Sequence, residues 1–276
     1  MTDTSKNDGP ANAVDQQAFY DEMWRNYGHL DAVSPAAFHR RRLVVRLVTE
    51  FAGHAQNILD VGCGQGELLR EISEAIPAAH VYGADLSEQS IIDSRKRNPT
   101  YDLFQLDLTH PEFSTRYAER LGKFEFAVCS EVLEHIPDDG LAAQNLLQLL
   151  RPGGIAVVTV PGGKMSAFDK VIGHQRHYNP SKLEARLVGA GFHVERVLAW
   201  GFPFHSFYRT AVRVASKMSV GGQPAGEAPK QKESSSTVSN VLGAAYTVFG
   251  KALKPLFYLN ASVWGEQLLA VATRKP

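Results

Sequence analysis

The chain has 276 residues, 29 basic against 29 acidic side chains, and 44% hydrophobic residues. That is enough apolar material for one domain of ordinary size, with or without additions, while a net charge of zero lacks the clustered basic field that nucleic acid requires. Nucleic-acid substrates are therefore disfavoured. Two cysteines, Cys63 and Cys129, form no disulfide framework, as expected of a cytoplasmic protein, and no run approaches the ~18 apolar residues of a membrane span.

Residues 1–15 are polar and lack an apolar signal core, so a disordered tail is expected there and not a targeting peptide. Residues 16–52 show helical spacing of apolar positions and predict a two-helix cap before the first strand. Within it, Tyr20, Trp24 and Tyr27 are candidates either to wall a ligand or to pack on a sheet edge. Arg40, Arg41 and Arg42 read either as partners for a ligand carboxylate or as a solvated face.

From residue 57, β-type runs alternate with helix-type runs, the pattern of a largely parallel sheet covered on both faces. Strands are predicted near 57–61, 80–84, 101–105, 124–129, 153–160, 193–200 and 267–273, giving a core of 53–202 plus 266–276. Gly153 and Gly154 stop one helix and turn the chain into the fifth strand.

The first strand runs into Gly62, Cys63, Gly64, Gln65, Gly66 and Glu67, with Asp60 just before the glycines. Such a strand, tight loop and helix bring bare backbone close to a ligand. A dinucleotide loop wants glycine where Glu67 stands, and leaves the helix N-terminus to a pyrophosphate. Asp60 and Glu67 instead predict repulsion of a diphosphate and attraction of a ligand bearing an ammonium and a sulfonium, such as S-adenosylmethionine (SAM). Cys63 is read as a small residue beside that ligand. Asp85, at the end of the second run, is the expected acceptor for the ribose hydroxyls. Asp107 is the candidate partner of the adenine amine, with Leu86 and Leu108 on the two faces of the ring. The alternative for Asp107 is a turn cap.

With Glu131, Val132, Leu133, Glu134 and His135 after the fourth run, and Leu149 to Gly154 before the fifth, these motifs resemble those of the class I SAM-dependent methyltransferases. The order is similar to the small-molecule branch that includes ubiquinone O-methyltransferases. The resemblance covers about 57–200 and the last strand. It implies a Rossmann-like α/β fold, a seven-stranded sheet whose final strand is antiparallel, and SAM over the strand ends. Arg176, Tyr178 and the Ala190, Gly191, Phe192 run resemble a segment of bacterial members that modify sugars, lipids or natural products.

Methyl transfer is an in-line displacement, so the protein chiefly aligns the reactants and excludes water. A hydroxyl acceptor also needs a base. His135 is the first candidate, as a histidine titrating near neutrality at a strand end, or else an orienting residue. Glu131, His174 and His177 follow. Glu131, Glu134 and His135 would share one face if they began a helix; with His174 they resemble the metal set of some ubiquinone and small-RNA methyltransferases. A divalent metal is thus an expectation of second rank.

Between the sixth and seventh strands, residues 203–265 predict a helical insertion with a mobile linker at 219–239. Its apolar flanks, 204–218 and 240–259, are candidates for capping the acceptor pocket, for peripheral lipid contact, or for a homodimer contact. The expected activity is methylation of a small-molecule acceptor, foremost at a hydroxyl oxygen, in natural-product, glycan or lipid modification. The alternatives are an N- or C-methyltransferase and a non-catalytic SAM-binding partner subunit.

Overall fold

The structure is a computed structural model that describes residues 13–28, 34–166, 169–170, 172–210, 255–256, 259 and 264–276. The linker expected at 219–239, most of both flanking helices, residues 1–12 and the Tyr27 side chain lie outside the described residues. Helix α1 (Ala13–Tyr27) starts ahead of the boundary expected at residue 16. Helix α2 (Pro35–Ala52) opens on Ser34, whose hydroxyl accepts from the Ala37 amide, and has proline in its first turn, where no amide partner is lost.

The sheet contains β1 (Asn57–Val61), β2 (His80–Asp85), β3 (Asp102–Gln105), β4 (Phe124–Ser130), β5 (Leu150–Pro161), β6 (Phe192–Trp200) and β7 (Gln267–Arg274). Their spatial order is β3-β2-β1-β4-β5-β7-β6, and β7 runs antiparallel to both neighbours. Helices α3 (Glu67–Ala75), α4 (Glu88–Arg97), α5 (Phe113–Arg116), α6 (Asp139–Leu149) and α7 (Pro180–Gly189) connect these strands.

Alternation along the strands divides the core into two layers, as period two requires. Ile58, Phe126, Val128 and Trp200 join Val44 and Val48 of α2 on one face. Leu59, Ala127 and Val158 join Leu146 of α6 and Leu183 and Leu187 of α7 on the other. The fifth strand begins at Leu150, earlier than the predicted 153: Leu150 pairs with Phe124, then a register shift carries the ladder to Ile155 and Phe126. Gly153, at φ 75°, absorbs the irregularity.

The strand order reverses between β1 and β4, which opens a crevice beyond their carboxyl ends. Residues 204–210 are helical. Among the described residues, no helix is long and apolar enough to cross a membrane.

Candidate active site

Two adjoining cavities lie beyond the strand ends and share Trp24, Gly62 and Glu131. The first is walled by Leu86, Leu106, Leu108, Val132 and Ile136, with Asp85, Asp107, Tyr20 and His135 on its rim. The second holds Asp60, Arg40, Arg41 and Ser130 beside the glycine loop. One is an apolar slot ending in carboxylates. The other sets a carboxylate opposite guanidinium groups.

The loop is built tightly. The amides of Gly62 and Cys63 donate to the Ala84 carbonyl at 2.7 and 3.0 Å, and the Gly64 amide donates to Asp85 Oδ2 at 2.9 Å. Gly64 has φ 53°, and a Cβ there would stand 2.3 Å from the Trp24 ring. The predicted wall residue Trp24 thus rests directly on the loop. Gly66 differs, because its missing side chain leaves room for Ser94 of α4, a packing role. Cys63 is buried at the floor of the second cavity, and burial raises its thiol pKa well above the ordinary range. A small, unreactive residue is what this position holds.

Asp85 is buried, and burial raises its carboxyl pKa against the bonds it accepts from Ser87 and Gly64. Its two oxygens already hold the loop and the α4 entry, at 2.9 Å each. Asp107 Oδ1 accepts from Thr109 N and Oγ1 at 2.7 and 2.8 Å, so the turn-cap reading is correct for that oxygen. Its carboxylate still lines the first cavity with Leu86 and Leu108.

The electrostatic reading of Glu67 needs correction. Glu67 pairs with Arg97 at 3.0 Å and with Arg70 at 3.7 Å, so its charge is largely neutralised locally. Glu67 still lines the second cavity, where Asp60 and Arg40 set a carboxylate and a guanidinium on the same lining. The arginine run divides: Arg40 faces the cavity, Arg41 is buried against Glu71 at 3.0 Å, and Arg42 is exposed.

After β4 the predicted helical face does not form. Glu131 has φ 58°, rare for a residue with a side chain, and Leu133–His135 is a single 3-10 turn. The Glu131 carboxylate accepts from Thr159 at 3.2 Å and faces Arg40 at 3.8 Å. It lines both cavities but does not join the cluster formed by Glu134, His135 and His174. The four-residue metal set expected from the resemblance therefore does not assemble. Strain of this kind concentrates at functional positions, and here it turns Glu131 toward the ligand space.

His135 reaches the first cavity, whereas His174 stands behind it with ring centroids 4.6 Å apart. Burial pushes the His135 pKa down to about 4, with the Gly173 backbone opposing and His177 reinforcing the shift. The expectation of a group titrating near neutrality is thereby corrected: the ring is neutral at pH 7. Burial likewise lowers His174 well below its ordinary value, and His135 and His177 add to the effect. Behind the ring lies Glu134, wholly buried, whose carboxyl is raised by burial and by Glu131.

Residues outside the initial reading also contribute. Gln16 and Val132 line the first cavity. A Cβ on Gly62 would come 2.3 Å from Val132 Cγ2, so the second residue of the Glu-Val-Leu-Glu-His run packs against the glycine loop. Asp21 of α1 accepts from the Ser87 hydroxyl and the Gln89 amide, which docks α1 onto the start of α4. The signal for Val132 was its place inside the motif. Asp21 carried none, because its partner is 66 residues away.

Fold and site together define a class I methyltransferase: parallel strands with one reversed, and a glycine loop between an apolar slot and a pocket lined by carboxylates and guanidinium groups. Residues 36–197 match the family described as "Methyltransferase domain". The chain is similar to a ubiquinone biosynthesis O-methyltransferase of Bordetella bronchiseptica, 27% identical over 82% of this chain and 88% of that protein. It is also similar to one of Aromatoleum aromaticum, 36% identical over 36% of this chain and 41% of that protein, less than half its length. A SAM-dependent methyltransferase structure from Thermotoga maritima superposes with a TM-score of 0.55 at 14% identity, covering 94% of this chain and 99% of that one. The chain belongs to the methyltransferase-domain family and is a SAM-dependent methyltransferase.

Proposed function

We propose that this enzyme methylates a hydroxyl oxygen of a small acceptor, foremost a phenolic one. In this reading SAM supplies a methyl group already activated by its sulfonium. Asp85 accepts from the ribose hydroxyls, Asp107 from the adenine amine, and Leu86 and Leu108 flank the adenine ring. Asp60 faces the ammonium and Arg40 the carboxylate of the methionine part, with Gly62 and Gly64 between the two halves. Glu131 stands at the junction of the cavities, where the sulfonium charge would lie.

The observation that carries the oxygen assignment is His135, held neutral on the wall of the cavity that Asp85 and Asp107 share. A neutral imidazole can accept the acceptor's proton. A phenol, with a pKa of about 10, releases its proton more readily than a sugar alcohol and so asks less of that imidazole. The similarity to a protein named as a ubiquinone biosynthesis O-methyltransferase supports transfer to oxygen. His174, outside the cavity lining, positions His135 through the ring contact.

Incubation with methyl-labelled SAM and a panel of phenols, sugar alcohols and amines tests this. Label should reach phenolic oxygen, and His135→Ala should lower kcat by about 100-fold or more while SAM affinity holds. Transfer to amines or sugar alcohols alone would overturn the acceptor assignment. SAM binding with no transfer to any acceptor would favour a partner-subunit role.

A further inference from the structure

The turn that carries His135 has little internal support. Leu133–His135 is a single 3-10 turn after the left-handed Glu131, and among the described residues it has no side-chain cap. Its amides close only from His135 to Val132 at 3.0 Å and from Ile136 to Leu133 at 3.3 Å. An isolated turn of this kind does not hold its own geometry in water.

The segment from Gln175 to Tyr178 supplies the missing support. The Gln175 amide donates to the Glu134 carbonyl at 2.7 Å, and the Tyr178 hydroxyl stands 3.4 Å from the Leu133 carbonyl. Between them, the Arg176 guanidinium donates to the Ile136 carbonyl, to that of Pro137 at 2.6 Å and, more weakly, to that of Leu133 at 3.5 Å. Four of the five carbonyls from Leu133 to Pro137 thus face donors of one short segment.

This grip is anchored to the frame of the fold. The Tyr178 amide donates to the Pro161 carbonyl at the end of β5 at 3.0 Å, and its hydroxyl donates to the buried Asp139 at 2.6 Å. Asp139, the first residue of α6, also faces Arg176 at 3.5 Å and Arg186 of α7 at 3.0 Å. A planar guanidinium held in this way fixes the carbonyls it meets in direction as well as distance. Arg176 lines neither of the two cavities. It therefore reaches the reaction only through the turn.

We propose that Arg176 is a positioning residue for methyl transfer, whose guanidinium holds the Leu133–Pro137 carbonyls so that the His135 ring stays aligned on the wall of the first cavity. The role rests on the reading of His135 as the base, and adds that its alignment is imposed from the segment after β5. Misplacing a reacting group by about 1 Å costs on the order of 100-fold in rate. Arg176 should matter to turnover and not to SAM binding.

A double-mutant cycle tests this, with methyl-labelled SAM and catechol, or the panel acceptor that takes most label if catechol takes none. Arg176→Ala should lower kcat by about 10–100-fold in the native chain with SAM affinity unchanged. In the His135→Ala chain, where no base is left to misplace, it should lower kcat by less than about 3-fold. Arg176→Lys keeps the charge without the fork and should recover little, whereas added guanidinium ion should restore part of the rate of Arg176→Ala and none of that of His135→Ala. Should Arg176→Ala misfold and lose SAM, Tyr178→Phe removes the anchoring hydroxyl and repeats the cycle, with an expected fall of about 3–10-fold in the native chain only. Independently of any acceptor, the His135 ring signals in proton NMR should shift in Arg176→Ala while those of His39 stay. An equal fall in both backgrounds, native kcat in Arg176→Ala or Arg176→Lys, or unmoved His135 signals would overturn the proposal alone. Native kcat in His135→Ala would overturn the base reading, and the positioning role with it.

Discussion

Asp85 has two tasks: it faces the apolar slot, and it holds the glycine loop through the Gly64 amide. Replacing it by asparagine keeps one acceptor and removes the charge. Asp85→Asn should therefore weaken SAM binding by about 1–3 kcal/mol, read by calorimetry. Unchanged affinity would remove Asp85 from the ribose role. Gly64→Ala should cost about 1–3 kcal/mol of stability, because the backbone is left-handed there and the Trp24 ring occupies the space a Cβ needs. A thermal melt with Trp24 fluorescence checks this, and native stability with native fluorescence would contradict the packing described.

Several of these residues were legible in the sequence because their chemistry depends on near neighbours. Asp60, Gly62 and Gly64 follow from a strand running into glycines, and Asp85 and Asp107 from the ends of the next two runs. Glu67 was misread because its partner Arg97 is 30 residues away on another helix. The Glu131 to His135 stretch was misread because a left-handed residue replaces the first turn of an expected helix. No pattern of residue types announces such a backbone choice at glutamate.

At the scale of elements, α1 and α2 form the lid and floor of the ligand space. The lid is docked by Asp21 on the first turn of α4. Asp21→Ala should lower SAM affinity through loss of α1 docking while leaving the sheet's far-ultraviolet signal intact. Equal affinity would show that α1 closes by apolar packing alone.

The floor carries a pH-sensitive contact. His39 of α2 packs on Trp200 of β6 with ring centroids 5.2 Å apart, and burial pushes its pKa from 6.5 down to about 4. The unfolded chain takes up a proton near 6.5 and the folded chain does not. The His39 contribution is therefore fully present above pH 6.5 and is lost as pH falls toward 4. His39→Gln should show a shallower loss of stability across that window than the native chain, by about 1–3 kcal/mol at its acid end. Denaturant melts at matched pH values measure it, and parallel pH profiles would contradict the assignment.

For the whole molecule, the seven strands and their approximate limits follow from β-type runs alternating with helix-type runs, whereas the reversed last strand was legible only through the family resemblance. The bulge that starts β5 at Leu150 follows from neither, since it depends on pairing across to Phe124. The cavities were legible only as strand ends. Their division by Trp24, Gly62 and Glu131 arises from α1 folding over the crevice, a contact between distant parts of the chain. The grip of Arg176 on the His135 turn was likewise hidden, because donors and carbonyls meet only when the segment after β5 folds back onto that turn.

A crystal structure with S-adenosylhomocysteine bound tests the central claim most directly, since one map shows both cavities. Adenine should lie between Leu86 and Leu108, the ribose hydroxyls on Asp85, and the amino-acid end between Asp60 and Arg40. The chain should pass Gly62 with its sulfur facing Glu131 and His135. A ligand whose adenine occupies the Arg40 cavity, or whose ribose lies away from Asp85, would contradict the account.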